Sequence, residues 1–495
     1  MTGGSLLAAI CWSFLRATGI AALALPVVEL LWHATAAAAM RRTRILLVCL
    51  VVAPLFIPEL LPGFHYRISA SKWSAMIGLS ATGSGVVTEL LYLLLQLCRA
   101  VSTGFLLRFL LPGPVRRSTS LHSWLLLRTD LKPERWFPGW IILNIHLRYR
   151  PLLLLWGLLT LRSFQEFETA ALMQIDQAPV SWTVWMFDAI AAGLQQAEVI
   201  QRVMIPVSLQ GGLLIILLML VSGRRQQTWL QDSGPAVARE KLALTRTILA
   251  GWVLLLILYV ALPVTGNLLS GVSGLRWILS SSGILRRTLS QLGVSLAFAL
   301  SASAGALGTA ALALNMSGRV RRRVLAWILL LPGLSGPLCT ALLLQFLFQL
   351  PGLQAFWGTF VPLLAGLVLS SLPGAFLAVL LLQNRRNLSG VLTAELLGGA
   401  NDHRRIVSGK LLWHLSDGRW LLAWLLLSQW CFWNVTISSM LHPPSIELVV
   451  TRLYNEMHFS RTEALLGLTL LSSITPCFVF AVLMLVLRVR RWLVP

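Results

Sequence analysis

Long apolar runs separated by short arginine clusters constrain this chain more than any other feature. Many of the runs reach the roughly 20 residues that an α-helix needs to cross the hydrocarbon core of a bilayer. Only 12% of the residues are charged and 57% are hydrophobic, whereas a soluble domain carries about 25% charged residues. The pattern therefore predicts an all-α polytopic membrane protein.

The formal net charge of +22 would suggest nucleic-acid binding in a soluble protein. Here the basic residues lie in clusters beside apolar runs, for example at 41–44 and 319–323, as the positive-inside rule describes. Membrane lipids with anionic headgroups are a sufficient partner, and we expect no nucleic acid. The clusters predict about eleven spans in a multi-pass inner-membrane protein, with the N-terminus outside and the C-terminus in the cytoplasm.

The sequence offers no catalytic, metal or cofactor motif. Its six cysteines and eight histidines have no ligand spacing, and the cysteines are expected to be small buried hydrophobes. No GxxxxGK[ST] loop is present to cradle nucleotide phosphates. We therefore expect neither an enzyme nor a cofactor, and any ATP hydrolysis would need a separate subunit.

An internal repeat organises the chain. Four pairs of identical residues are each separated by 265 positions: Ser163 and Ser428, Phe167 and Phe432, Pro179 and Pro444, and Glu198 and Glu463. Repeated membrane halves commonly form a pathway at their interface. We predict a first half at 1–225, a linker with one extra span at 226–288, and a second half at 289–495. Residues 63–73 and 263–287 are expected to be loops.

One polar island, residues 384–419, interrupts the second half. Its centre places helix-favouring residues from Ala394 to Leu397 before the breaker pair Gly398-Gly399, and Ala400 follows. The pattern predicts two short helices joined by a glycine turn. An ordinary basic loop between two membrane helices is the other interpretation.

This island resembles the cytoplasmic coupling loop of bacterial ABC importer permeases. Ala394 matches the second position of their Glu-Ala-Ala motif, and Gly399-Ala400 match the later Gly-Ala pair; Thr393 and Glu395 depart from the motif. The resemblance implies contact with a separate ABC ATPase through a set of loop residues. These are Ala394, Glu395, Gly398, Gly399, Ala400, Arg404 and Arg405.

The order of spans resembles fused permeases of the ferric-iron and thiamine import type, which carry both membrane halves on one chain. The resemblance implies a type I importer fold and an extracytoplasmic solute-binding protein as a further partner. The family's Ser-Leu-Gly-Glu-Phe-Gly motif is partly kept at 163–168 and less so at 428–433. Candidate residues for a translocation path are Ser163, Glu166, Glu168, Ser428 and Asn434.

Other interpretations remain open. Glu166 and Glu168 would meet water if they lie at the outer interface, whereas Glu29 and Glu89 are expected to pack between helices. The first-half loop at 130–147 lacks the Gly-Ala pair and contains Pro133 and Pro138. A non-transporting membrane scaffold derived from a permease is therefore one alternative. An ion-coupled secondary transporter is another.

Overall fold

The computed structural model describes residues 5–37, 40–108, 125, 149–173, 180–194, 196–222, 241–316, 319–384, 418–459 and 461–475. Regular structure in these residues is helical throughout, which confirms the all-α prediction. Six of the described helices are long and apolar enough to cross a membrane, or up to nine if each of three bent pairs forms one span. The structure thus agrees with a multi-pass membrane protein, and the count of eleven spans stays a prediction.

The chain divides into two compact units. The first unit comprises Met1–Leu55 and Tyr66–Leu262, and the second comprises Phe56–His65 and Pro263–Pro495. The division between Leu262 and Pro263 lies inside the predicted linker segment 226–288.

The helices of the first unit begin with a 32-residue helix that carries only one charge near each end. In order they are α1 (Leu6–Ala37), α2 (Arg41–Val52), α3 (Leu60–Ile77, whose first residues belong to the second unit), α4 (Ala81–Arg108), α5 (Arg150–Phe164), α6 (Glu168–Met173), α7 (Trp182–Ala191), α8 (Gln196–Ser222) and α9 (Lys241–Leu256).

Helix α1 is the centre of the first unit. It packs mainly against α4 and α5, and also contacts α2, α7 and α9. Its buried side is a row of small residues that includes Ala17, Ala21 and Ala24. Small residues let membrane helices approach closely. The contact between α5 and α8 is similarly close, because a Cβ added at Gly157 would lie 2.4 Å from Leu217 Cδ2.

The helices of the second unit follow a π-helical turn, Ile257–Ala261. In order they are α10 (Leu262–Ser280), α11 (Ser282–Asn315), α12 (Arg319–Ser335), α13 (Pro337–Gln349), α14 (Val361–Asn384), α15 (Gly418–Phe432), α16 (Val435–Leu441), α17 (Val449–His458) and α18 (Thr462–Thr475).

Helix α11 is the centre of the second unit. It packs mainly against α14 and α15, and also contacts α12 and α17. Alanines 306, 310 and 313 form a buried seam against Leu372, Ala375 and Phe376 of α14. The high content of small residues in α11 predicts this close packing, and the structure confirms it.

Three pairs of consecutive helices are bent at a short break, and prolines in the sequence mark two of the three breaks. The pair α2 and α3 bends by 67°, the pair α12 and α13 by 116°, and the pair α15 and α16 by 57°. Proline removes a backbone donor and obstructs the preceding turn of a helix. Pro54 and Pro58 lie at the first bend and Pro337 starts the helix after the second.

Two expected loops are helical instead. Residues 63–73 lie within α3, where Tyr66, Ala70 and Ser74 form a buried stripe at four-residue spacing. Residues 262–280 form α10 and α11 begins at Ser282, so the chain turns only near Ser281. Tertiary packing overrides local propensity here, because α10 uses its glycines to contact α18: a Cβ at Gly274 would lie 1.9 Å from the Glu463 carbonyl oxygen.

The cysteine prediction is correct for only part of the set. Cys98, Cys339 and Cys431 are buried, whereas Cys11 and Cys49 are exposed on α1 and α2. The exposed pair lies on apolar helices, where lipid accepts a thiol as readily as protein does. The coupling-loop candidates at 394–405, the linker at 226–240, Cys477 and the first-half loop at 130–147 lie outside the described residues.

Candidate functional site

A buried ion pair joins α1 to α4 in the first unit. Arg16 Nη1 donates to Glu89 Oε1 at 3.0 Å and to Oε2 at 3.2 Å. The side chains are 4% and 10% exposed. The guanidinium also donates to Ser181 Oγ and lies 4.6 Å from the centroid of the Tyr92 ring. Charges in a membrane helix are costly unless paired, so this cluster fixes α1, α4 and the start of α7 to one another.

Glu166 extends this network to the break between α5 and α6. Tyr92 Oη donates to Glu166 Oε2 at 2.9 Å, and the Thr169 amide donates to Oε1 at 2.6 Å. The carboxylate therefore caps α6 with a hydrogen bond to a helical amide three residues on. Gln96 Nε2 in turn donates to Thr169 Oγ1 at 3.1 Å. Since α5 ends at Phe164, Glu166 faces α4 and α6 at the break.

The break between α15 and α16 in the second unit has the same kind of cap. Asn434 Oδ1 accepts from the Ile437 amide at 3.0 Å at the start of α16, and Asn434 Nδ2 donates to Ser370 Oγ at 3.2 Å. Ser428 is buried, and its hydroxyl donates to the Leu425 carbonyl at 2.8 Å. Ser428 lies one and a half turns before this break, and Asn434 lies in the break and contacts α14.

A short helix in each unit is tied to the long central helix by one serine. In the first unit the Trp182 amide, at the start of α7, donates to Ser13 Oγ on α1 at 3.0 Å. In the second unit the Val449 amide, at the start of α17, donates to Ser295 Oγ on α11 at 3.0 Å. Helix starts have unpaired amides, and a buried amide without a partner is costly.

A second arginine network supports α17. Arg452 Nη1 donates to Gln291 Oε1 at 2.9 Å and to Thr288 Oγ1 at 3.1 Å, both on α11. Arg452 Nε also lies 3.7 Å from Glu456 Oε1, and both side chains are nearly buried. Each unit thus contains a buried arginine between its central helix and a short helix. In the first unit the arginine, Arg16, lies on the central helix α1, whereas in the second unit the arginine, Arg452, lies on the short helix α17.

The remaining acidic candidates fall into two groups. Glu29 pairs with Arg108 at 2.6 Å, and Glu89 pairs with Arg16, which confirms that both pack between helices. Glu198 and Glu463, which the predicted repeat pairs, lie exposed at the starts of α8 and α18. Glu198 is 3.5 Å from Arg202, one turn along its helix.

The structure brings Ser163, Glu166 and Glu168 together at the break after α5, where all three are half-buried. Tyr92, Ser181 and Arg452 are members of the networks that sequence reasoning did not identify. The signal for Tyr92 was its place three residues after Glu89 on one helix face. Ser181 had no local signal, because its partner Arg16 lies 165 positions away. Arg452 had one local signal, Glu456 one helical turn later, but its partners on α11 lie more than 150 positions away.

Within the described residues, no group of three or more His, Cys, Asp or Glu side chains could hold a metal ion. The chain matches no protein-family model, no curated protein and no solved structure.

Proposed function

We propose that the chain is the transmembrane permease subunit of an ATP-driven importer, with both membrane halves fused and the ATPase on a separate polypeptide. The observation that carries the proposal is the matching order of eight helices in the two units. Among the described helices, α1 to α8 of the first unit can be matched in order with α11 to α18 of the second.

The packing follows the same order. In each unit the first helix packs against the fourth and the fifth, and the fourth contacts the short sixth helix. The second and third helices form a bent pair, and the seventh starts with an amide bonded to a serine of the first. Correspondence at this level supports an internal repeat, which is how many transporters build a pathway between two halves.

The partial permease motifs fall at equivalent places in this order. Residues 163–168 and 428–433 span the end of the fifth helix and the break that follows it. In both units a short break separates the fifth and sixth helices. A side chain in the break caps the sixth helix: Glu166 in the first unit and Asn434 in the second. Non-helical backbone at membrane depth is tolerated only inside protein or beside a water-filled cavity. The breaks are therefore the best candidates for the translocation path.

The segments 109–148 and 385–417 also occupy equivalent places, between the fourth and fifth helices. A type I importer has its coupling loop at this place. We infer that the loop residues Ala394, Glu395, Gly398, Gly399, Ala400, Arg404 and Arg405 contact an ABC ATPase. An extracytoplasmic solute-binding protein would deliver the solute.

The test is co-purification of an ATPase from native membranes. Replacing Gly399 by leucine removes a residue that reaches positive φ freely and adds bulk where a partner approaches. We expect this variant to lose the co-purifying ATPase activity and ATP-dependent uptake. Glu134→Leu, in the degenerate first-half loop, is the matched control and should retain most of both.

Normal ATPase binding and uptake by Gly399→Leu, at normal expression, would remove the coupling-loop assignment. Equal loss in both variants would indicate a folding defect. If no ATPase co-purifies with the unaltered chain, the non-transporting scaffold becomes the better interpretation. The use of Glu166 and Asn434 as helix caps would also fit a scaffold. Glu198 and Glu463, the acids that the 265-residue separation pairs, are exposed, so this pair does not support the ion-coupled transporter.

A further inference from the structure

Each unit exposes apolar residues in or beside the turn that precedes its fourth helix. In the first unit, the end of α3, just before the turn at 78–80, exposes Trp73, Met76 and Ile77, at 46%, 84% and 70%. In the second unit, the turn 350–360 exposes Phe356, Trp357 and Phe360. Residues 350–360 form a connecting segment rather than a face of a spanning helix, so exposure to lipid along a span does not explain their exposure. The three residues of the first unit lie at the end of α3, next to the connection to α4.

Neither turn contains a charged residue, and the uncharged stretch of sequence around each turn is long. No charged residue occurs between Lys72 and Glu89, or between Arg323 and Arg385. Water-exposed loops are normally rich in polar residues, and the other basic loops of this chain follow that pattern. Tryptophan and other aromatic residues concentrate at the headgroup level of membranes, where an amphipathic ring has both apolar and polar neighbours.

Several backbone amides of the second turn donate to groups within the turn itself. The amides of Leu353, Phe356, Trp357 and Thr359 donate to carbonyls three residues earlier, at 3.0–3.1 Å. The Val361 amide donates to Thr359 Oγ1 at 3.2 Å, and Pro351 has no amide hydrogen. A loop in water does not need this closure, whereas a loop at the edge of the hydrocarbon region does.

The first turn is closed in a similar way. The Gly78 and Leu79 amides donate to the carbonyls of Ala75 and Ser74, at 3.2 and 2.9 Å. Gly78 has a φ of +66°, a left-handed conformation that glycine adopts without strain. These bonds end α3, and the exposed Trp73, Met76 and Ile77 are among its last five residues, directly after Lys72.

We propose that these two turns insert into the lipid headgroup region and anchor the third-to-fourth helix connection of each unit in the membrane. The partner is the bilayer itself, through its interfacial acyl and glycerol groups. The proposal does not depend on the importer assignment, because it uses only exposure, charge and backbone closure. It predicts direct contact between Trp357 and lipid.

The experiment places the photo-reactive amino acid p-benzoylphenylalanine at position 357 of the full chain. The protein is reconstituted in vesicles of phosphatidylethanolamine and phosphatidylglycerol and then irradiated. Leu269, which is 85% exposed on the candidate span α10, is the lipid-facing control. Arg461, whose side chain is 68% exposed beside Glu456, is the polar control.

We expect phospholipid adducts at 357 with a yield at least half of that at 269 and several-fold above that at 461, detected as mass increments on the labelled peptide. A yield at 357 equal to that at 461 would overturn the proposal and place the turn in water. A covalent dimer or an internal peptide crosslink in place of lipid adducts would also overturn it, because protein would then cover the turn. The same substitution at Trp73 repeats the test for the first unit.

Discussion

Replacing Glu89 by glutamine should destabilise the first unit strongly. The change removes the charge that neutralises Arg16, which is only 4% exposed at its side chain and 3.0 Å from the Glu89 carboxylate. Breaking a buried ion pair by removing one partner costs about 3–5 kcal/mol, since the remaining charge is left uncompensated. Arg16→Met should lower the free energy of unfolding by less. It leaves the Glu89 carboxylate without its partner, and a carboxylate can take up a proton, whereas the guanidinium that Glu89→Gln leaves behind stays charged.

The exposed pair Arg202 and Glu198 is the matched control. It also joins an arginine to a glutamate, but its side chains are 41% and 50% exposed at 3.5 Å. Exposed pairs one helical turn apart contribute about 0.3–0.5 kcal/mol. A double-mutant cycle on each pair isolates the coupling energy.

The assay is denaturant unfolding of the purified chain in detergent micelles, followed by fluorescence. We expect a coupling energy of about 2–4 kcal/mol for Arg16 and Glu89, and under about 0.5 kcal/mol for Arg202 and Glu198. The double variant Arg16→Met with Glu89→Leu should recover much of the stability that Glu89→Gln loses. Equal coupling in the two pairs would refute the reasoning, because burial would then not decide the effect.

Three further changes test the packing, the cap and the topology. Gly274→Ala should lower the free energy of unfolding by about 1–3 kcal/mol in the same assay, because the added Cβ would meet the Glu463 carbonyl. The control Gly293→Ala adds its Cβ in open space, so it should be neutral or slightly stabilising. Asn434→Ala should cost about 1 kcal/mol through the lost cap of α16, and aspartate at the same position should retain most of it. A reporter fusion after Ser280, which lies next to the turn between α10 and α11, should report the extracytoplasmic side; a cytoplasmic signal would contradict the predicted orientation.

Local reasoning succeeded where a residue's environment depends on its neighbours in sequence. The small residues of α11 predict close packing, and the prolines at 54, 58 and 337 mark two of the bends. Glu29 and Glu89 were expected to lie between helices because an unpaired charge in lipid is costly, and the structure confirms both.

Local reasoning failed where packing reverses a propensity. The glycine- and serine-rich segment 263–280 is typical of a loop in water, yet it is helical. In a membrane protein, glycine allows two backbones to approach, and the serine hydroxyls bond to carbonyls of their own helix, as Ser273 does with Ser270. The polar segment 63–73 is helical for a related reason: one buried stripe suffices to hold a helix whose other faces are polar.

The sequence by itself determined the class of protein, because apolar runs of span length with flanking arginines have few stable arrangements other than membrane helices. Residues at a constant separation also predict an internal repeat, which stays a prediction. The partners of the charges were decided only by the tertiary structure. Arg16 meets Glu89 and Ser181, and Glu166 meets Tyr92, across separations of 73 to 165 residues. Such contacts depend on which helix faces meet, and no local pattern specifies that.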